Sequence, residues 1–128
     1  MREIKFRAWD KRHNEMVYIN DFYWFEEEGI NEIENGEAST ASGDYVFMQY
    51  TGLKDKNGAD IYEGDIVRFG IKRFVEASPP ISDYAVIWSD GCFVAGGVVM
   101  NSFNIDWFNT SVIGNIHENP ELLEPTDE

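Results

Sequence analysis

The segment Gln49–Val67, QYTGLKDKNGADIYEGDIV, gathers four acids, two lysines, two tyrosines and three glycines in nineteen residues. Such crowding admits two readings, a binding site or a set of turns between strands. Its glycines favour turns. Asn57-Gly58 is a pair suited to a tight hairpin, because the left-handed backbone is open to glycine and tolerated by asparagine. Gly52 bends the chain before it, and Glu63-Gly64-Asp65 turns it into an apolar strand. A calcium loop fails on inspection. With Gly58 at the obligatory glycine, Asp55 and Asn57 fall on ligand positions, but Leu53 takes the first ligand position and Gly64 replaces the bidentate Glu.

Outward from this stretch, short strand patterns recur. Residues 2–9, REIKFRAW, alternate Ile4, Phe6 and Ala8 against Lys5, Arg7 and Trp9, which predicts a half-buried strand. DKRHN (10–14) reads as a turn and EMVYI (15–19) as the return strand of an N-terminal hairpin. The segment 22–43 has no periodicity and carries six glutamates between Glu26 and Glu37; it reads as a long acidic surface loop, with a short helical turn near 20–28 as the alternative. YVFMQY (45–50) and DIVRFG (65–70) are strands, and Pro79-Pro80 breaks a loop over 73–83. YAVIWS (84–89), the Asp90-Gly91 turn and CFVAGGVV (92–99) form a hairpin, with Gly96-Gly97 marking a bulge or a close backbone approach. SVIGNI (111–116) closes the set. NPELLE (119–124) predicts one helical turn capped by Asn119, with Pro120 at its first position and Pro125 after it.

Many short strands and no long helix predict a mainly β chain, one compact domain over residues 1–128. EGDIV (63–67) followed by the VIW–SDG–CF hairpin (86–93) is similar to the start of small SH3-like barrels, a resemblance that implies a barrel-like domain with SH3-like hairpins in the C-terminal half. Lobes at 1–62 and 63–124 and an acidic tail at 125–128 are the possible subdivisions. The single cysteine excludes an intramolecular disulfide. No apolar run is long enough for a signal peptide or a membrane span, which predicts a cytoplasmic, soluble protein without a membrane partner.

The net charge of −14 is unevenly placed. Every Lys and Arg lies in 1–12 or 54–73, whereas 13–53 and 74–128 each carry nine acids and no base. Duplex nucleic acid is thus an improbable ligand for the monomer, since it needs many cation–phosphate contacts. No catalytic, cofactor or metal constellation emerges. His13, Cys92 and His117 are scattered without the short spacing of a zinc site. Cys92 reads as a buried structural thiol, and Gly96-Gly97 lacks the lysine and helix of a phosphate loop. The sequon Asn109-Thr110-Ser111 has no meaning in a cytosolic chain.

Two features point to contacts: an aromatic surplus over Tyr18–Phe25 and at Trp107-Phe108, and the base-free acidic segments. The contact candidates are Tyr23, Trp24 and Trp107 from the aromatic clusters, and Tyr50, Asp55, Asn57, Asp60 and Tyr62 from the opening stretch. The preferred reading is a non-enzymatic protein-interaction module that self-associates. The alternatives are an acidic mimic of nucleic acid that blocks a basic protein, and a small barrel that binds single strands as an oligomer through its two basic segments.

REIKFRAWD, MQYTGLKDKNGADIYEGDIV and VIGNIHENPELLE, in that order, resemble the YopX family of phage and prophage proteins. The resemblance spans residue 2 to about 124. His117 stands where the family usually has an aromatic. The resemblance implies a mainly β fold and a phage accessory role with no assigned activity, and it carries no catalytic residues with it.

Overall fold

A computed structural model of the chain describes residues 4–70 and 83–123. The expectations for Arg2, Glu3, Arg73, Pro79-Pro80, Pro125 and the tail 125–128 lie outside them. The described chain is mainly β, in open antiparallel sheets with two short helices. It divides into two compact units, Met1–Tyr50 and Thr51–Glu128.

In the first unit, β1 (Phe6–Asp10) and β2 (Glu15–Ile19) form the expected N-terminal hairpin, with Asp10 opposite Glu15 at the last pair before the turn. Asn14, at φ 53, lets the chain reverse. β1 also pairs β4 (Asp44–Lys54), which pairs β3 (Glu37–Ser39) on its other side. β1 is therefore an interior strand, and the predicted half-buried alternation fails. Arg7, Ala8, Trp9 and Asp10 are all buried, while Ile4, assigned to the inner face, is 64 % exposed.

The segment 22–43 is not one long loop. It holds α1 (Tyr23–Glu27) and β3, so the helical alternative is the one the chain adopts. Five residues are too few for an autonomous helix. Packing and a C-terminal cap hold this one. Trp24 and Phe25 pack against the cluster of Ala8, Ile19 and Tyr45 together with Phe47 and Ile30. Gly29, at φ 72, donates to Glu26 O while Ile30 N donates to Phe25 O, the paired bonds of a Schellman stop.

In the second unit, β5 (Asp60–Tyr62) pairs β4 beyond a turn closed by Gly58 N to Asp55 O. Only Gly58 of the Asn57-Gly58 pair has positive φ, at 86°, so the turn is built with one left-handed residue rather than two. β6 (Asp65–Arg68) lies between β7 (Asp83–Ala85) and β11 (Ser111–Asn115). A third sheet runs β10 (Val98–Val99), β9 (Cys92–Ala95), β8 (Ile87–Ser89). These described strands do not close, which corrects the barrel detail. Val86 divides the predicted 84–89 strand: it accepts from Gly64 N and donates to Asp65 O, so β7 pairs β6 while β8 pairs β9 in a separate sheet.

Asp90-Gly91 makes the expected hairpin turn, with φ of 51° and 84°. Gly96-Gly97 makes a second turn, both residues at positive φ, rather than a bulge. The close approach is also present: a Cβ on Gly96 would lie 2.7 Å from the Tyr84 ring. Between the sheets, α2 (Ser102–Trp107) has no counterpart in the sequence reading. Asn101 caps it by accepting from Asn104 N, and Asn109, at φ 49, ends it with the same paired bonds that stop α1. The core joins Ile61, Val67, Phe69, Val86, Phe93, Ala95, Met100 and Ile105. Burying each larger aliphatic or aromatic side chain there contributes about 1.5–3 kcal/mol. The chain then runs through a 3₁₀ turn at Pro120–Leu123. Asn119 does not cap that turn as expected; its side chain instead accepts from Asn115 N.

Candidate functional site

The first unit presents its rings in two directions. Trp24 and Phe25 turn inward, edge-on to one another at 5.3 Å, and Trp24 meets Tyr45 at 5.1 Å. Phe22 and Tyr23, one residue earlier on the same short element, stay 70 % and 66 % exposed. A helical turn points four consecutive residues around its whole circumference, so anchoring two of them commits the others to solvent. Glu26, Glu27, Glu32 and Glu34 are exposed in the same segment. Glu28 instead accepts from the Tyr45 hydroxyl at 3.3 Å. The Tyr45 phenol is pushed up to about 12, first by burial and then by the carboxylates of Glu28 and Asp10.

At the hairpin turn of this unit, Asp10 is buried and organises its neighbours. Oδ1 accepts from Arg12 N at 3.0 Å and Asp44 N at 3.2 Å, and Oδ2 lies 2.6 Å from His13 Nδ1. Burial pushes this carboxyl upward, but the His13 contact and the two backbone donors outweigh it and hold it below its ordinary value. Lys11 is raised by its ion pair with Glu37 at 2.6 Å. Arg12 reaches Asp44 and the carbonyls of Thr40 and Ala41; Asp44 is lowered by the Ser39 hydroxyl and by Arg12. His13 is therefore not isolated from ligand-bearing side chains, as its place in the sequence suggests. The signal was the spacing Asp10, His13, Glu15 across a hairpin turn, which becomes a cluster only once the register is known.

The opening stretch resolves differently. Asp55 is buried, with Oδ1 accepting from Asn57 N and Ala59 N and Oδ2 from Val112 N. Both oxygens are therefore turned to backbone donors, and the residue is a staple between the turn and β11. Tyr50 and Tyr62 are buried as well, and Lys5 sits 4.5 Å over the Tyr50 ring. As contact candidates these three are corrected: their side chains belong to the fold. Asn57 is exposed at the turn. Asp60 is bound to Lys54 at 2.6 Å. Trp107 is half-buried and stacked on the exposed Phe103 at 5.8 Å, and Trp24 is half-buried in the core of the first unit. Of the eight candidates, Tyr23 is the exposed aromatic; Phe22, which the candidate list omitted, is exposed beside it.

Several bases of the two positive segments face the chain's own acids. Lys11, Arg12 and Lys54 do so as above, and Arg68 makes a two-pronged bond to Asp83 at 2.8 and 3.1 Å that raises its pKa. Arg7 is buried. Cys92 is half-buried on β9, its thiol directed to Ser89 O, rather than fully buried as expected. No described helix is long and apolar enough to cross a membrane.

The chain is similar to protein EF1440 from Enterococcus faecalis, with 31% identity over 97% of this chain and 100% of that one, at a TM-score of 0.66. It is also similar to the yopX protein of Bacillus subtilis, with 25% identity over 96% and 98% of the two chains and a TM-score of 0.56. No curated protein matches it. The family model described as YopX protein matches residues 5–124, and the chain belongs to that family.

Proposed function

We propose that this YopX-family chain is a non-enzymatic protein-interaction module of a phage or prophage, acting in the bacterial cytoplasm. It takes a Lys/Arg-bearing segment of a partner protein through the Phe22–Tyr23 corner. The observation that carries this reading is the pair of rings left 70 % and 66 % exposed beside Glu26 and Glu27 on a helix that is otherwise anchored. Exposed aromatic faces attract cations and supply contact area at low entropic cost, and the surrounding carboxylates match the same charge. Between residues 13 and 53 there is no Lys or Arg to fill that role internally.

Self-association belongs to the same proposal. β2 is an edge strand among the described elements, and its sequence EMVYI holds no Lys or Pro to block pairing with a second copy.

The test uses the full chain to capture a partner from a lysogenic host, followed by titration of the purified pair. A Phe22→Ser/Tyr23→Ser variant should weaken binding by roughly thirtyfold, the effect of losing an aromatic anchor, with its own unfolding midpoint unchanged. Full affinity in that variant sinks the site. A partner released by duplex DNA and by modest salt favours the acidic-mimic reading instead. Light scattering at low micromolar concentration should give multiples of 14.7 kDa; the mass of one chain removes self-association.

A further inference from the structure

The first hairpin carries chemistry that the contact surface does not use. Asp10 and Glu15 face one another at its last pair, so both side chains leave the same side of the sheet. His13 lies in the turn between them. One ligand-capable atom from each of the three residues falls within 4.8 Å of the other two. Asp10 is held on one side only: the N–H groups of Arg12 and Asp44 fix Oδ1, which leaves Oδ2 turned toward His13. A carboxylate so fixed loses little conformational freedom when its second oxygen captures a ligand. The adjacent bases are directed elsewhere, Lys11 to Glu37 and Arg12 to Asp44.

We infer that this hairpin tip is a divalent transition-metal site, with Asp10 Oδ2, His13 Nδ1 and a carboxylate oxygen of Glu15 as its protein ligands. One imidazole and two carboxylates suit Zn²⁺, Co²⁺ or Ni²⁺ and fall short of the six or more oxygens that calcium takes. Ligand atoms about 2.0–2.2 Å from one ion stand roughly 3 Å apart at right angles and about 3.4 Å apart in a tetrahedron. The 2.6 Å contact between His13 and Asp10 therefore opens by about 0.4–0.8 Å as the ion enters. His13 is 52% exposed and Glu15 is exposed, so both can move while the buried Asp10 stays in place. The Nδ1–Oδ2 hydrogen bond opens, the imidazole ligates through Nδ1 as the neutral ring with its proton on Nε2, and water completes the coordination.

The test is a titration of the tag-free full chain with Zn²⁺ by calorimetry and with Co²⁺ by visible absorption. One ion per chain is expected at micromolar affinity, with Co²⁺ d–d bands. His13→Ala and Glu15→Gln should each weaken binding by about tenfold or more, and Glu15→Gln should do so without moving the unfolding midpoint. Cys92→Ser should leave binding unchanged, which separates this site from the thiol. Three results would each overturn the inference: no saturation by about 1 mM Zn²⁺, undiminished binding in His13→Ala, or equal competition by Mg²⁺ and Ca²⁺.

Discussion

Each unit of this chain ties a turn together with a buried aspartate, and the two aspartates end in opposite conditions. Asp55 meets three backbone N–H donors, one of them from β11, far along the sequence, and both of its oxygens are closed to solvent chemistry. Asp10 gives one oxygen to two backbone donors and turns the other to an imidazole that is half exposed. Backbone donors cannot change protonation or move away, so a carboxylate surrounded by them is structural only. A side-chain partner at a hairpin tip can move away. The same residue type thus becomes a rivet in one unit and, in the other, the fixed partner of a side chain that can move, according to what faces its second oxygen.

The sharpest way to break this comparison is to remove both carboxylates in turn. Asp55→Ala strands three partly buried N–H groups and should destabilise the chain by about 2–4 kcal/mol; Asp10→Ala strands two and should cost about 1–3. The asparagine variants discriminate further. Asp55→Asn should recover little, because its amide NH₂ would face a backbone N–H whichever way it turns. Asp10→Asn should recover most of the loss, because neutral His13 can accept from that NH₂. Equal recovery at both sites in urea unfolding would remove the distinction.

Turn glycines extend the comparison with a smaller effect. Gly96→Ala meets both a left-handed backbone and the Tyr84 ring, whereas Gly29→Ala meets open space at φ 72. The first should cost about 2–3 kcal/mol and the second about 1. Matching midpoints for the two variants would show that the Tyr84 contact relaxes freely.

Tyr45 offers a pH test of the first unit alone. Its folded pKa is raised above the ordinary 10.0 to about 12. The unfolded phenol therefore ionises first, and the stability this group contributes is intact below pH 10.0 and fades as pH rises toward about 12. Tyr45→Phe should change neutral stability by less than about 1 kcal/mol, since its hydroxyl bond is long, and should flatten that alkaline decline. A wild type and variant that decline in parallel would argue against the burial of this ring as its cause.

The smallest effect belongs to Thr110, fully buried with a hydroxyl that finds no partner among the described residues. Thr110→Val should be neutral or stabilise by up to about 1 kcal/mol. A clear loss of stability would mean that the hydroxyl is satisfied after all.

Much of the fold was legible because short-range rules govern it. Short strand-like runs marked the strands on either side of the 10–14 turn, Asp90-Gly91 marked its hairpin, and Pro120 marked the start of the last turn. The helices were harder. Each is too short for a periodic face, and their clearest signals were stops: Gly29-Ile30 after α1, and Asn109 after α2 with Asn101 three residues before Asn104. β1 was misjudged because alternation presumes one covered face, whereas the consecutive residues Arg7–Asp10, which point to both faces, are all buried. Tyr50, Asp55 and Tyr62 looked available for contacts because polarity and aromaticity in a sequence do not report burial.

By itself the sequence determined the family, the mainly β class, the turn at Asp55–Gly58 and the acidic surplus, since these depend on residue type and near neighbours. Only the tertiary structure decided which of those polar groups are closed. Val112 had to reach Asp55 from β11, and the register of the first hairpin had to set Glu15 opposite Asp10. Such long-range pairings are properties of packing, because the partner that satisfies a buried carboxylate is whichever group the fold delivers to it.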